Sequence, residues 1–274
     1  MSEAVTTFPT PYPDLNAVLR ELVRSVKDCL GMTFVGAYLQ GSFAVGDFDE
    51  HSDCDWIIAI NEELTESQVN DLQAMHKRIF ESGPEWAKHL EGSYFPIRLL
   101  RDYSLTGVDL WYLDNGRSVM ERSNHCNSVV VRWIVREKGV ILAGPEPSTL
   151  IDPIPTGLLR RAILTSIDES GRLILTEPEQ FKNHFYQTFI VLQYCRKLHD
   201  LHRGRVGSKR EGAEWAKRHL DPKWRGLIDR TWAGRPNPEV SVRTPPDEAD
   251  FESTLEFVAE VMRLANGLAK DKGY

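Results

Sequence analysis

Cysteine is scarce. Four residues in 274, Cys29, Cys54, Cys126 and Cys195, are scattered with no C-x-x-C pair, which argues against a disulfide framework and against a structural zinc site. No run approaches eighteen apolar residues, so the sequence offers nothing that spans a membrane. The opening MSEAVTTFPTPYPD lacks the basic start and apolar core of a secretory signal. A soluble cytoplasmic protein is therefore expected. There is no G-x-S-x-G elbow, no Walker loop and no G-x-G-x-x-G fingerprint, which removes the motif basis for three common enzyme classes. Internal repeats and low-complexity tracts are missing too.

What is present is globular composition: 41% hydrophobic, 27% charged, with 7 Trp, 8 Tyr and 11 Phe. The length suits two domains of ordinary size. The net charge of −7 is unevenly spread. Residues 1–157 carry 13 Lys and Arg against 23 Asp and Glu, net −10, whereas 158–274 carry 20 against 17, net +3. The stretch 196–235 holds 12 basic and 5 acidic residues, net +7. An acidic half and a basic half suit an anionic, metal-bridged ligand held by both. The acidic pI of about 5.7 disfavours nucleic acid as the partner.

The first half reads as mixed α/β. Asp14 is placed to cap a helix whose apolar positions Leu15, Val18, Leu19, Leu22, Val23 and Val26 recur at helical spacing, with Gly31 as its stop. TFVGAYL (33–39) and CDWIIAI (54–60) read as buried strands, and a helix follows near 66–82. SYFPIRLL (93–100) reads as a strand that Pro96 marks as an edge or bulge. DLWYL (109–113) and VILAG (140–144) fit strands, while SVVVRWIVREKG (128–139) fits helix or strand equally.

After the Pro- and Gly-rich GPEPSTLIDPIPTG (144–157) the pattern turns helical, over about 157–169, 181–203, 209–219, 223–232 and 248–269. Ser208 and Glu211 have capping-box spacing. The expected architecture is an α/β domain with a mixed sheet over 1–157 and an all-α helical bundle over 158–274.

The chemistry concentrates in LQGSFAVGDFDEHSDCDWIIAI (39–60). Gly41-Ser42 ends one strand, ten residues intervene, and Asp53-Cys54-Asp55 opens the next. Alternate strand residues share a face, so Asp53 and Asp55 point together with Cα atoms about 7 Å apart, and Cys54 and Trp56 point into the core. Two adjacent carboxylates repel unless a cation joins them. A few hard oxygen ligands with room for phosphate and water describe Mg²⁺ rather than zinc. Gly41 and Ser42 offer backbone N–H groups and a hydroxyl to a phosphate tail.

This arrangement resembles the nucleotidyltransferase superfamily signature: Gly-Ser, a spacer, Ser52 just before Asp53, then Asp-x-Asp at the head of an apolar strand. Transfer to a hydroxyl needs a third acid, and Glu91 and Asp109 both lie on later predicted strands. The context LEGSY resembles the base-bearing strand of aminoglycoside adenylyltransferases of the streptomycin and spectinomycin type, and it favours Glu91. The linker AGPEPSTLIDPIP and the stretch 191–220 are similar to that family's domain boundary and its Lys- and Trp-containing helices. The resemblance implies Arg196 and Lys209 as phosphate-facing cations and Trp232 beside the base. Lys209 also stands at a predicted helix start after Gly204 and Gly207, where free N–H groups favour an anion.

One departure matters. The family holds its cationic drug with acids just before the first long C-terminal helix, where this chain has Lys182, His184 and Tyr186, with Glu177 and Glu179 nearby. Streptomycin and spectinomycin are therefore expected to be poor acceptors. His199 and His202 share a helix face without a third metal ligand. Arg196-x₅-His202 is also similar to the Arg…His motif of helical ribonuclease domains that pair with small nucleotidyltransferases.

The expected activity is Mg²⁺-dependent transfer of AMP from ATP to a hydroxyl of a small molecule such as an aminoglycoside. Asp53 and Asp55 would hold the metal, Glu91 would be the base, and Gly41, Ser42, Ser52, Arg196, Lys209 and Trp232 would contact the nucleotide triphosphate. The competing expectations are a same-fold enzyme with another acceptor, metabolite or protein, and a non-catalytic nucleotide-binding protein.

Overall fold

The computed structural model describes residues 9–49, 52–235 and 238–273. They divide into two compact units, one reaching Ile154 and the other running from Pro155. No helix among the described residues is long and apolar enough to cross a membrane.

In the first unit, helix α1 (Pro13–Leu30) buries Leu15, Val18, Leu19, Leu22, Val26 and Leu30, the stripe its spacing predicts. Its cap is Tyr12 rather than Asp14. Pro13, with φ fixed and no N–H to satisfy, takes the first helical position and moves Asp14 into the first turn. Gly31 ends the helix at φ 52°. The elements that follow are β1 (Phe34–Leu39), α2 (Gly41–Val45), β2 (Cys54–Ile60), α3 (Glu66–Phe80), β3 (Leu90–Pro96), α4 (Ile97–Arg101), β4 (Leu110–Leu113), β5 (Met120–Ser123), α5 (Val129–Lys138) and β6 (Val140–Ala143).

The strands form one mixed sheet in the order β5-β4-β3-β2-β1-β6. β2 and β3 run parallel, joined through α3, and every other neighbouring pair is antiparallel. One face, with Ala37, Leu39, Cys54, Trp56, Ile58 and Tyr94, packs under α1 and α3. The opposite face, with Tyr38, Ile57, Ala59, Phe95, Leu110 and Tyr112, packs under α4 and α5.

One sequence reading is corrected here, one open alternative is decided and one strand is new. β3 starts at Leu90 and lies inside the sheet, and Pro96 is neither an edge nor a bulge. The proline is the last paired residue, where its missing N–H costs least, and the chain turns at once into α4. The ambiguous stretch 128–139 is helix, because Ser128 accepts from the Val131 N–H at its N-cap. β5 was not anticipated, since MERS has only Met120 as a buried residue.

The second unit is helical: α6 (Thr156–Thr176), α7 (His184–Arg203), α8 (Lys209–His219), α9 (Arg225–Gly234), α10 (Pro238–Ser241) and α11 (Glu248–Lys272). α7 is the central helix, with α6, α8, α9 and α11 packed against it. Ser208 caps α8 by accepting from the Glu211 N–H at 3.0 Å. The reciprocal half of the capping box does not form, because the Glu211 carboxylate turns to Arg205.

Candidate active site

The parallel register of β2 and β3 sets Asp55 directly beside Glu91. Asp53, two residues before Asp55, completes a group of three acids whose ligand oxygens all lie within 4.8 Å of one another. Cys54 and Trp56 are fully buried on the other face, as strand alternation requires. Asp109 is outside this group and exposed, and its carbonyl accepts from Arg122. Geometry therefore separates the two candidates for the third acid. Three hard carboxylate oxygens, with Glu91 only 8% exposed, form a donor set suited to a small hard cation.

Gly41 has a steric reason to be glycine. Its φ is 58°, and a β-carbon there would overlap Oδ2 of Asp55. Gln40 fixes the same corner, accepting from the Gly41 N–H at 3.0 Å and reaching Asp55 Oδ1 through its amide at 3.4 Å. The Gly-Ser pair opens the short α2 instead of forming a bare turn. Within it, Ser42 Oγ is buried and has no hydrogen-bond partner among the described residues. Such an orphaned hydroxyl suits an oxygen-rich ligand arriving from outside. Ser52 is half-buried next to Asp53.

Sequence reasoning missed Tyr112 and His125 beside Glu91, and Asp114 behind Tyr112. The buried Tyr112 hydroxyl donates to Glu91 Oε1 at 2.8 Å and lies 2.9 Å from Asp114 Oδ1. His125 Nε2 lies 3.3 Å from the same Glu91 oxygen. The Tyr112 phenol is pushed far above its ordinary value by burial and then by Glu91. His125 is raised, chiefly by its bond to Glu91. A signal existed for two of them: in LWYLD, residues 112 and 114 share a strand face. Nothing in the sequence marks His125.

In the second unit Lys209 stands in the first turn of α8, its ammonium 5.1 Å from the Phe189 ring centroid. Arg196, on α7, donates to Gln193 at 2.6 Å. Trp232 is half-buried on α9, with the guanidinium groups of Arg210 and Arg235 at 5.2 and 4.7 Å from its ring. It borders a cavity of about 300 Å³ that Ala213, Lys217 and Ile228 also line.

The residues that replace the expected drug-holding acids are engaged locally. Lys182 pairs with Glu248 at 3.1 Å, which raises its pKa, and His184 Nε2 contacts the Gly234 carbonyl at 3.1 Å. Tyr186 packs edge-on against Phe181 and Phe185. His199 bonds Asp200 at 2.9 Å and His202 packs on Trp215, so the histidine pair serves the helix packing.

Comparison with known proteins converges on one kind of enzyme. A family model for the aminoglycoside adenylyltransferase C-terminal domain matches residues 149–259. The spectinomycin 9-adenylyltransferases of Staphylococcus aureus strains Mu50 and N315 are each 25% identical over 248 residues, covering 78% of this chain and 89% of theirs. The crystal structure of spectinomycin adenyltransferase AAD(9) from Enterococcus faecialis with ATP and spectinomycin shares the fold. Its TM-score is 0.63 at 13% identity, over 90% of this chain and 98% of that one. In sequence and in fold, this chain resembles the aminoglycoside adenylyltransferases.

Proposed function

We propose that this chain is a Mg²⁺-dependent adenylyltransferase that moves AMP from ATP to a hydroxyl of a small molecule of the aminoglycoside class. The observation that carries this reading is the convergence of Asp53, just ahead of β2, with Asp55 on β2 and Glu91 on the parallel β3. The likeness to spectinomycin 9-adenylyltransferases supports it. Asp53 and Asp55 would hold Mg²⁺, which when bound screens the phosphates and stabilises the pyrophosphate leaving group.

Glu91 takes the proton of the acceptor hydroxyl as that oxygen attacks the α-phosphorus of ATP and pyrophosphate leaves. Gly41 keeps the Asp55 carboxylate in its seat, and the Ser42 and Ser52 hydroxyls face the phosphate tail. Arg196, Lys209 and Trp232 complete the nucleotide contacts in this reading, the first two at the phosphates and the third at the base. The net charge of −7 and the pI of about 5.7 favour a small acceptor over nucleic acid.

The relatives' names make spectinomycin the first acceptor to assay. The Lys182–Glu248 pair, where the resemblance expects free acids, argues for slower use of streptomycin and spectinomycin than of an acceptor with fewer cationic groups. Pyrophosphate release from Mg·ATP across a panel of aminoglycosides and plain polyols tests the reading. Release that depends on Mg²⁺ and on one hydroxyl acceptor is expected. Binding of Mg·ATP with no release for any acceptor would leave a nucleotide-binding protein instead.

A further inference from the structure

We propose that Tyr112 and His125 are positioning residues that hold Glu91 by one carboxylate oxygen and leave the other aimed at the acceptor hydroxyl. This inference rests on the reading of Glu91 as the base. Both contacts fall on Oε1: the Tyr112 hydroxyl at 2.8 Å and His125 Nε2 at 3.3 Å. Oε2 has no hydrogen bond from another described residue. A carboxylate anchored at one oxygen loses the freedom to rotate about its last bond, and a base held in that way is ready to act.

The two donors are themselves held. Tyr112 is only 4% exposed and sits on β4 opposite Ser93, so its ring points along the face that carries Glu91. Its single proton is shared between Glu91 and Asp114, which ties the base to a second carboxylate. His125 lies in the loop between β5 and α5, with its ring 5.4 Å from that of Tyr112.

That loop is fastened from beneath. The Asn127 amide donates to the carbonyls of Leu105 and Val108 at 3.1 and 2.7 Å. Its side-chain oxygen accepts from Arg132 at 2.7 Å, and Arg132 also donates to the Leu99 carbonyl at 2.8 Å. Arg132 is fully buried, and burial brings its pKa down to about 10. A buried guanidinium bound to neutral oxygens is a costly way to pin a surface loop. The residue that loop presents is His125.

The test uses the full chain with Tyr112→Phe, His125→Ala and His125→Gln beside Glu91→Gln. Tyr112→Phe and His125→Ala are each expected to lower kcat about 10-fold or more, the scale of a misplaced reacting group. Mg·ATP affinity and the acceptor KM should hold. His125→Gln, which keeps an N–H donor, should recover most of the rate. Unchanged kcat in both Tyr112→Phe and His125→Ala overturns the inference. So does a raised acceptor KM at constant kcat, which would make His125 a substrate contact. A parallel fall in kcat, ATP affinity and unfolding midpoint would show a structural role and also overturn it. Glu91→Gln separates the two levels: near-normal turnover there removes the base itself. Loss of turnover in Glu91→Gln with wild-type rates in the other variants removes only the positioning claim.

Discussion

Gly41 and Asp55 compete for one volume: the space a β-carbon would take at residue 41 is filled by the Asp55 carboxylate. The glycine of the Gly-Ser motif is thus the seat of a metal-ligand candidate as well as a positive-φ turn. Gly41→Ala must displace that carboxylate and strain the backbone. Activity is expected to fall by about 100-fold or more, the scale reached when a reacting group shifts by an ångström. Cooperative unfolding should persist. Steady-state rates beside circular dichroism check this, and wild-type activity in the variant would show that the seat is dispensable.

The acids divide by role. Asp53→Asn or Asp55→Asn should remove most Mg²⁺-dependent ATP binding together with transfer. Glu91→Gln should cost about 10²–10⁴ in rate while leaving nucleotide affinity in place. Calorimetry with Mg·ATP and single-turnover kinetics read the two quantities separately. Loss of binding in Glu91→Gln, with turnover retained at saturation, would make Glu91 a third metal ligand and nothing more.

Lys209→Ala tests the nucleotide role proposed for the helical unit. ATP binding should weaken by about 1.5–3 kcal/mol, the scale of a hydrogen bond to a charged group, and AMP binding by less. Calorimetry with each nucleotide checks the difference. No loss for either would leave Lys209 as a lysine resting on Phe189.

A pH dependence of stability follows from His76. Its ring is stacked on Trp56 and bonded to the Tyr94 hydroxyl at 2.7 Å, and burial lowers its pKa from 6.5 to about 3. Between those values the unfolded chain binds a proton that the folded chain refuses. Stability is therefore lost as pH falls below about 6.5 and regained as it rises. From pH 7 to pH 5 the loss from this one group is about 2 kcal/mol. Urea titrations at the two pH values should show it in wild type and show less in His76→Phe. An identical slope in both proteins would assign the acid sensitivity elsewhere.

The legible parts of this molecule were those with a short repeat or a tight local constraint. CDWIIAI is a strand over the residues its apolar run predicts. The α1 stripe and the Gly31 stop follow from local spacing in the same way. Glu91 could be ranked above Asp109 only through a family likeness, because the proximity of Asp55 and Glu91 depends on which strands become neighbours. The place of Tyr112 beside Glu91 was hidden for the same reason, and His125 sits in a loop that no local pattern marks. Pro96 misled because a rule for strand interiors was applied to a strand's last residue. Asp14 misled because the proline before it had already claimed the helix start.

The parallel pairing of β2 with β3 also bears on how the protein acquires activity. The β1–β2 hairpin can close locally and carries Gly41, Ser42, Asp53 and Asp55. Glu91 joins them only after the chain has run out through α3 and returned alongside β2. Non-local closures of this kind are entropically slower than hairpins. A nascent chain that has emerged only as far as α3 holds two acids without the third. Recovery of catalysis on refolding is thereby tied to the crossover, and early hairpin signals will precede it.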